Sequence, residues 1–202
     1  MVDYPDPRWV EIDLEAIRHN YRQIRQFVDD GVKILSVVKA DAYGHGAVET
    51  ARVLEKTGTD MLGVTTVAEG RILREGGITA PILVFGPFLP GETAAITSHD
   101  LTVTVAGFEA LRLLAKEADQ TGRKIKIHLK IETGLGRAGL WPRETVAAVK
   151  EAAVLPGLEL EGVYSHLATA MFTDMSYALT QFGAFRETLA ALEKEGLNSG
   201  MI

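Results

Sequence analysis

The chain has 202 residues, of which 47% are hydrophobic and 24% are charged, and it contains no cysteine. This length and composition suit one globular domain or most of a large one. The net charge of −6, with no long basic run, argues against nucleic acid as a partner. No apolar stretch is long enough to cross a bilayer, and residues 1–7 lack the pattern of a secretion signal. Without cysteines there are no disulfides or thiolate metal sites, so a cytoplasmic location is expected.

The pattern along the chain alternates short apolar runs with helical periods. Residues 9–12 are predicted as a short strand, and Asp13 is a suitable N-cap for the helix that follows. Buried strands are then predicted at 34–38, 61–64, 82–85, 102–105, 125–131 and 158–164. Helices are predicted at 14–28, 47–56, 67–75, 91–97, 108–122 and 142–153, and a last helix, lined by Leu179, Phe182, Phe185, Leu189 and Leu192, ends at Gly196. Gly76 and Pro142 supply a helix stop and a helix start.

The repeated strand-then-helix order predicts an α/β fold with a parallel sheet covered by helices. Six strands follow the first short one, at a spacing of about 25 to 30 residues per unit, which suits a (β/α)8 barrel or a doubly wound sheet. Periodicity alone does not distinguish these two architectures. In both of them, ligands bind at the carboxyl ends of the strands.

Chemically active side chains follow several of these strands. Lys39 comes after the first strand and precedes Tyr43 and a Gly-His-Gly run whose glycines allow a sharp turn and a close backbone approach to a ligand. A lysine withdrawn from water in this place can form a Schiff base or transfer a proton. The alternative is a surface lysine at a strand end. Phe85 follows the third strand.

Further candidates follow the fifth and sixth strands. Arg137 comes after two spaced glycines and suits an oxyanion, although it could be an exposed loop residue. Lys130 and Glu132 alternate along a strand and either act chemically or form an internal ion pair. His166 is a candidate acid–base group, stacking partner or structural residue, and no ligand-spaced partner suggests a metal site. We expect the lysine, tyrosine, arginine and histidine to converge on one rim.

Three of these stretches carry a resemblance to a known family. Residues 37–46 (VVKADAYGHG) closely resemble the pyridoxal-phosphate lysine motif of alanine racemases. Residues 130–139 resemble the second conserved stretch of that family, with Leu135 where methionine is usual and Glu132 where aspartate is common. Residues 165–170 resemble a third stretch, and the opening residues 9–14 also fit. The resemblance covers nearly the whole chain.

The resemblance implies a (β/α)8 barrel with pyridoxal 5′-phosphate bound at the strand ends. Lys39 would hold the cofactor as an internal aldimine and would move a proton on one face of the substrate Cα. Tyr43 would contact the phosphate, and Arg137 would lie by the phenolic oxygen. These are roles of the family, carried over to the matching positions.

Three more positions receive roles in the same way. Lys130 corresponds to the lysine that is often carbamylated and that then orients the arginine. His166 would lie around the cofactor ring, and Phe85 would be an apolar contact. The implied activity is the interconversion of L-alanine and D-alanine, which supplies D-alanine for cell-wall peptidoglycan. The implied assembly is a homodimer, in which the second base is a tyrosine from the C-terminal domain of the partner.

Six of the eight barrel strands are expected in residues 1–202, with a seventh beginning near residues 200–202. The main phosphate loop, the arginine at the ring nitrogen and the C-terminal β domain come later in the family. We therefore expect an incomplete barrel with open edges at strands 34–38 and 158–164, which favour self-association. We also expect weak cofactor binding and negligible racemisation by this chain alone.

Other interpretations remain open on the sequence. The substrate could be serine or a broad range of amino acids, because the residues present do not discriminate between them. The chain could be a barrel that binds pyridoxal phosphate without turnover. It could also be a structural domain in which Lys39 is unreactive.

Overall fold

The computed structural model describes residues 9–202. The predicted strand at 9–12 is wrong: these residues have no regular structure, and Trp9 and Val10 are 75% and 80% exposed. A strand needs a hydrogen-bonded neighbour, and no strand of the described residues pairs with this segment. The prediction for residues 1–7 lies outside the described part. Regular structure begins with α1 (Leu14–Phe27), where Asp13 accepts hydrogen bonds from the amides of Glu15 and Ala16, as its N-cap role predicts.

Six parallel strands form one sheet: β1 (Leu35–Val37), β2 (Met61–Val64), β3 (Ile82–Val84), β4 (Thr102–Val105), β5 (Ile125–Lys130) and β6 (Leu158–Tyr164). Each strand pairs with the next one along the chain, so the order in space is the order in sequence. A doubly wound sheet reverses direction at a switch point, whereas a barrel advances steadily. The architecture is therefore an α/β barrel progression, which is unclosed within the described residues.

The helices connect the strands as predicted, with shifts of one or two residues at most ends. They are α2 (Lys39–Gly44), α3 (Ala47–Thr57), α4 (Val67–Glu75), α5 (Thr93–Ser98), α6 (Phe108–Thr121), α7 (Pro142–Val154) and α8 (Ser176–Lys194), with a 3-10 turn at Pro90–Glu92 before α5. The helix stop at Gly76 and the first-turn Pro142 are confirmed. α2 is the element that the sequence did not predict.

The core lies between the sheet and the helices. Every residue of β2, β3 and β4 is buried, as expected for strands that are covered on both faces. Leu73, Leu111, Leu114 and Leu192 supply fully buried helical side chains. The predicted face of α8 is partly wrong, because Leu179 and Phe182 are exposed while Ala178, Gln181 and Thr188 are buried in their place.

The expected start of a seventh strand is present at Met201. Its amide donates to the carbonyl of Glu161 and its carbonyl accepts from the amide of Val163, both at 2.8 Å, and it pairs in parallel with Gly162. The expected open edge of β6 is therefore covered at this point. A cavity of about 540 Å³ is lined by residues of β1, of several other strands and of this terminal segment, among them Leu35, Val163 and Met201.

No helix within residues 9–202 combines the length and apolar character that a membrane span requires.

Candidate functional site

Lys39 begins a left-handed turn at the carboxyl end of β1. The four residues after it, Ala40, Asp41, Ala42 and Tyr43, have φ values between 50° and 56°, and none of them is glycine. L-residues disfavour this conformation by about 1–2 kcal/mol each, so the turn costs roughly 4–8 kcal/mol. The sequence indicated a turn at the glycines, and Gly44 and Gly46 do have positive φ, but it did not indicate the four strained residues. Strain of this kind concentrates at functional sites.

Hydrogen bonds from both ends hold this turn in place. The amide of Ala42 donates to the carbonyl of Val38 at 3.0 Å, and Asp41 accepts from the amide of Ala47 at 2.7 Å through its side chain. The amide of Ala40 donates to Oε1 of Glu69, on the neighbouring helix α4, also at 2.7 Å. The backbone on both sides of Lys39 is therefore fixed by specific partners.

Lys39 and Tyr43 lie together at the mouth of the sheet. Lys39 is half-buried and Tyr43 is 61% exposed, and Nζ of Lys39 lies 5.9 Å from the centroid of the Tyr43 ring. This separation is at the outer limit of a cation–π contact. The Lys39 amine therefore lies near the Tyr43 ring at the carboxyl end of β1, and the Lys39 residue as a whole is partly exposed.

The loop after β5 presents Arg137 and is organised by Glu132. The buried carboxylate of Glu132 accepts the amides of Gly134 at 2.6 Å and Arg137 at 3.2 Å. Burial by itself would raise the pKa of Glu132, but the backbone amides of the loop outweigh it and hold the pKa below its ordinary value. The alternative of a Lys130–Glu132 ion pair is wrong, because no such pair is present. Glu132 instead fixes the backbone from which Arg137 projects.

Lys130 is the last residue of β5 and is only 5% exposed. Within the described residues its ammonium makes neither an ion pair nor a hydrogen bond. Burial lowers its pKa, the charge of Arg137 lowers it further, and Glu132 opposes the change. A buried amine with a depressed pKa has a larger neutral, nucleophilic fraction than an exposed lysine.

His166 lies close enough to basic groups at two other strand ends, those of β1 and β5, for their charges to change its pKa. Partial burial lowers its pKa, and so, in decreasing order, do the positive charges of Arg137, Lys130 and Lys39. The sequence predicted that Lys39, together with a tyrosine, an arginine and a histidine, converges on one rim. In the structure Lys39, Lys130, Arg137 and His166 lie within range of one another's charge there, so Lys130 joins the expected group. None of them has a carboxylate partner within 4.0 Å in the part of the chain that is described, although the whole chain carries a net charge of −6. The rim is thus a concentrated positive site in an acidic protein.

Phe85 lies inside the barrel below this rim. Its ring is half-buried, with its centroid 6.2 Å from that of Tyr164. A Cβ at Gly63 on β2 would lie 2.5 Å from two ring atoms of Phe85. The glycine therefore makes the space that the aromatic ring occupies.

Helix α8 joins the loops that carry Arg137 and His166. The fully buried amide of Gln181 donates to the carbonyl of His166 at 3.0 Å and accepts from the amide of Ala168 at 2.8 Å. It also reaches the hydroxyl of Thr133 at 3.4 Å. One turn earlier, the hydroxyl of Tyr177 donates to the carbonyl of Gly134 at 2.7 Å. One helix thus fixes the backbone of both loops.

Sequence reasoning missed Gln181 and Glu69. A polar residue on an otherwise apolar helix face gave no distinct signal for Gln181. Glu69 did carry one, since Thr66 and Glu69 have the spacing of a capping box, and the structure contains that box. The pattern predicts a helix start, but it does not reveal the bond from Glu69 to Ala40.

These features define a class of protein: a parallel (β/α) barrel domain with a basic site, centred on a lysine, where the strands end. Residues 12–202 match the family described as "Alanine racemase, N-terminal domain". The chain belongs to this family.

Similar proteins cover almost all of the chain. Alanine racemase 1 of Caldanaerobacter subterraneus subsp. tengcongensis is 44% identical over 192 residues, which are 95% of this chain and 50% of that protein. The alanine racemase of Methanococcus maripaludis is 39% identical over 95% of this chain and 52% of its own length. The chain therefore spans about half the length of the curated relatives it matches.

Solved structures give the same result for the fold. The alanine racemase of Clostridium difficile 630 in complex with cycloserine matches with a TM-score of 0.95 at 35% identity, over 98% of this chain and 55% of that one. The alanine racemase of Bacillus anthracis with bound L-Ala-P matches with a TM-score of 0.88 at 37% identity, over 97% and 51%. The fold described above is thus the alanine racemase N-terminal barrel.

Proposed function

We propose that this chain forms the cofactor-binding part of an alanine racemase, which interconverts L-alanine and D-alanine with pyridoxal 5′-phosphate. The observation that carries the proposal is the group of four basic side chains at the strand ends, without carboxylate partners in the described residues, in a member of this family. Two relatives bear the name alanine racemase in structures with cycloserine and with L-Ala-P. The same proposal includes three points that rest on the family resemblance. The reaction would supply D-alanine for peptidoglycan, the protein would be cytoplasmic, and the full-length protein would be a homodimer.

The residues at the rim fit the proposed cofactor. Pyridoxal 5′-phosphate carries a phosphate and a phenolic oxygen, both anionic, and an aldehyde that an amine can bind. The rim offers cations for the anionic groups and, in Lys39, a half-buried amine beside the phenol of Tyr43. When bound, the cofactor supplies the electron sink that makes a substrate Cα proton removable.

Each side chain then receives a role in the proposal. Lys39 would hold the cofactor and would move a proton at Cα on its own face. Tyr43 would donate to the phosphate, and Arg137 would bind the phenolic oxygen from a loop whose backbone Glu132 fixes. Lys130, whose pKa the charge of Arg137 lowers, is the carbamylation candidate, since addition of its neutral amine to carbon dioxide would release a proton and leave an anion within range of the guanidinium charge.

Two further positions shape the site. His166 stands near Arg137, Lys130 and Lys39, whose charges together with partial burial lower its pKa and favour the neutral ring. Phe85 provides an apolar contact from within the barrel.

Racemisation needs proton transfer on both faces of Cα, and Lys39 serves one of them. The second base and most phosphate contacts are assigned by the resemblance to later parts of the family's chain. We therefore expect a polypeptide of these 202 residues to bind the cofactor weakly and to racemise alanine negligibly. Brisk turnover of D-alanine by this polypeptide with added cofactor would contradict that expectation.

The proposal is tested by locating the amine that binds the cofactor. The chain is mixed with pyridoxal 5′-phosphate, reduced with borohydride and digested, and the pyridoxyl group is mapped by mass spectrometry. We expect the label at Lys39, its loss in Lys39→Ala, and its retention in the control Lys56→Ala, which removes an exposed lysine of α3. Label spread evenly over the exposed lysines would overturn the proposal.

Substrate choice needs a second experiment. A protein extended to the length of the relatives is assayed with L-alanine and with L-serine. We expect racemisation of alanine to exceed that of serine. Equal rates, or no turnover of either amino acid by a protein that holds the cofactor on Lys39, would favour the broad-range or the non-catalytic interpretation.

A further inference from the structure

We propose that Glu69 is a positioning residue for Lys39. Its carboxylate accepts a hydrogen bond from the Ala40 amide and thereby stabilises the left-handed turn. That turn orients the Lys39 amine toward the site. The inference rests on the proposed function for what Lys39 does, but the contact itself is independent of it. Oε1 of Glu69 accepts from the amide of Ala40 at 2.7 Å, and Ala40 is the residue next to Lys39. Glu69 itself lies too far along the chain to be part of the lysine motif.

The two oxygens of Glu69 serve different elements. Oε1 accepts a hydrogen bond from the amide of Ala40, which follows β1. Oε2 accepts hydrogen bonds from the amides of Thr65 and Thr66, which follow β2, at 2.7 and 2.9 Å. β1 and β2 are neighbours in the sheet, with Val37 opposite Gly63. One carboxylate therefore joins the ends of two adjacent strands at the level of Lys39.

The hydrogen bond from Ala40 to Glu69 satisfies an amide at the start of the left-handed turn. Amides at the start of a helical turn find no acceptor inside the turn, and Ala40 is also the first of the four residues with unfavourable positive φ. The far end is held from within, by Asp41, whose side chain accepts from Ala47. Glu69 supplies the matching restraint at the end that carries the lysine.

Helix capping does not account for this contact. The capping box of α4 consists of Thr66 and Glu69, and it is complete with the bonds at Oε2 and at the Thr66 hydroxyl. The hydrogen bond at Oε1 instead joins α4 to Ala40 in the turn after β1. Burial alone would raise the pKa of Glu69, but the amides, with Ala40 first among them, reverse the direction and hold the pKa low. The carboxylate is thus maintained in the form that accepts at both oxygens.

Glu69→Gln separates the two duties of this side chain. Glutamine also completes capping boxes, and its side-chain oxygen would still accept the hydrogen bonds from the amides of Thr65 and Thr66. Its amide nitrogen is a donor and would then face the donor of Ala40, so the link to the lysine turn is lost. Glu55→Gln is the matched control: Glu55 accepts from Thr79 and Ala80, all at Oε1, at the opposite ends of the strands, and one oxygen of glutamine can keep these bonds.

The test uses two readouts on the 202-residue chain. Hydrogen exchange, measured by nuclear magnetic resonance without cofactor, reports on the Ala40 amide, and pyridoxyl labelling after borohydride reports on Lys39. We expect Glu69→Gln to speed exchange at Ala40 about tenfold, the effect of losing one charge-assisted hydrogen bond, and to lower the Lys39 label by a similar factor. Glu55→Gln should leave both within about twofold of the parent.

The outcomes distinguish this inference from the proposed function. If the parent chain takes no label at Lys39, the proposed function fails, while exchange at Ala40 still tests the restraint. Unchanged exchange in Glu69→Gln overturns the inference, and so does faster exchange with undiminished labelling. If Glu69→Gln does not fold, the test is made on the parent chain. The chemical shifts of the Ala40, Thr65 and Thr66 amide protons are followed as the pH is lowered, and all three should change together as the Glu69 carboxylate is protonated. An Ala40 proton that does not share this change overturns the inference.

Discussion

Lys130 illustrates the energetic cost of the basic rim at the level of single residues. The Lys130 side chain is only 5% exposed and has no carboxylate partner among the described residues, so little water and no counter-charge compensate its ammonium. The neighbouring charge of Arg137 adds repulsion, and both effects lower the pKa of Lys130. Without a bound anion the site therefore opposes folding, which is the arrangement expected of residues placed for chemistry.

Replacing this lysine should stabilise the chain in the absence of cofactor. We expect Lys130→Met to raise the free energy of unfolding by roughly 1–2 kcal/mol at neutral pH, because an apolar side chain of similar volume removes a buried charge. Urea unfolding measures the change. The control Lys126→Met removes a half-exposed lysine of the same strand that pairs with Glu161 at 3.6 Å, and it should give no gain. A destabilised Lys130→Met would contradict the expectation.

Glu132 has the opposite effect on stability. Its pKa is lowered below the ordinary value of 4.5, so the folded state favours the carboxylate over the acid. A carboxyl group whose pKa is lower in the folded state stabilises the fold at pH values above its unfolded-state pKa. This contribution to the free energy of unfolding is lost as the pH falls through its folded-state pKa.

Glu132→Gln should therefore cost stability in a pH-dependent way. We expect a loss of about 1–3 kcal/mol at pH 7, since a charged acceptor of loop amides is removed, and a smaller difference from the parent as the pH falls below about 4.5. Urea unfolding at a series of pH values measures it. Glu159→Gln, at an exposed position of β6, should show neither effect. A difference that stays constant from neutral to acid pH would argue against the carboxylate as its source.

At the level of elements, α8 organises loops with which it shares no sequence motif. Gln181 bonds to three residues of the loops after β5 and β6, and it is fully buried. Its helix follows both loops in the chain, so the position of His166 depends on a segment that folds back over it.

We expect Gln181→Met to loosen the loop after β6 while leaving α8 in place. The substitution keeps the volume and removes every hydrogen bond of the side chain, so exchange of the Ala168 amide should accelerate about tenfold. Thr188→Val is the control, because Thr188 is buried on the same helix and bonds within it, to Ala184. Equal protection of Ala168 in the parent and in Gln181→Met would show that other contacts hold the loop.

At the level of the whole molecule, the edges of the sheet matter most. β1 has an unpaired edge in the described residues, while β6 is paired at one point with Met201. Unpaired strand edges recruit other strands, so self-association is expected.

Met201→Pro should increase self-association of the 202-residue chain. Proline removes the amide that donates to Glu161 and so frees the edge of β6. Met201→Ala keeps that amide and serves as the control. We expect light scattering to give a higher average mass for Met201→Pro than for the parent at equal concentration, with Met201→Ala unchanged. Equal masses for the two variants would indicate that this edge plays no part in association.

The sequence by itself determined the alternation of strands and helices, most of their limits, and the residues gathered at the rim. It could do so because buried strands and helix faces leave periodic apolar patterns, and because the ends of parallel strands meet at one edge. The resemblance at residues 37–46 added the family, which the match of residues 12–202 to the family confirmed.

Tertiary structure alone decided the rest. Periodicity left a barrel and a doubly wound sheet open, because pairing joins segments that are distant in sequence; the family resemblance predicted the barrel, and the strand order confirmed it. The short strand predicted at residues 9–12 failed for the same reason, since a strand depends on a partner. The left-handed turn at Lys39 and the contacts of Glu69 and Gln181 also lay beyond the sequence, because each depends on a hydrogen bond between separate elements.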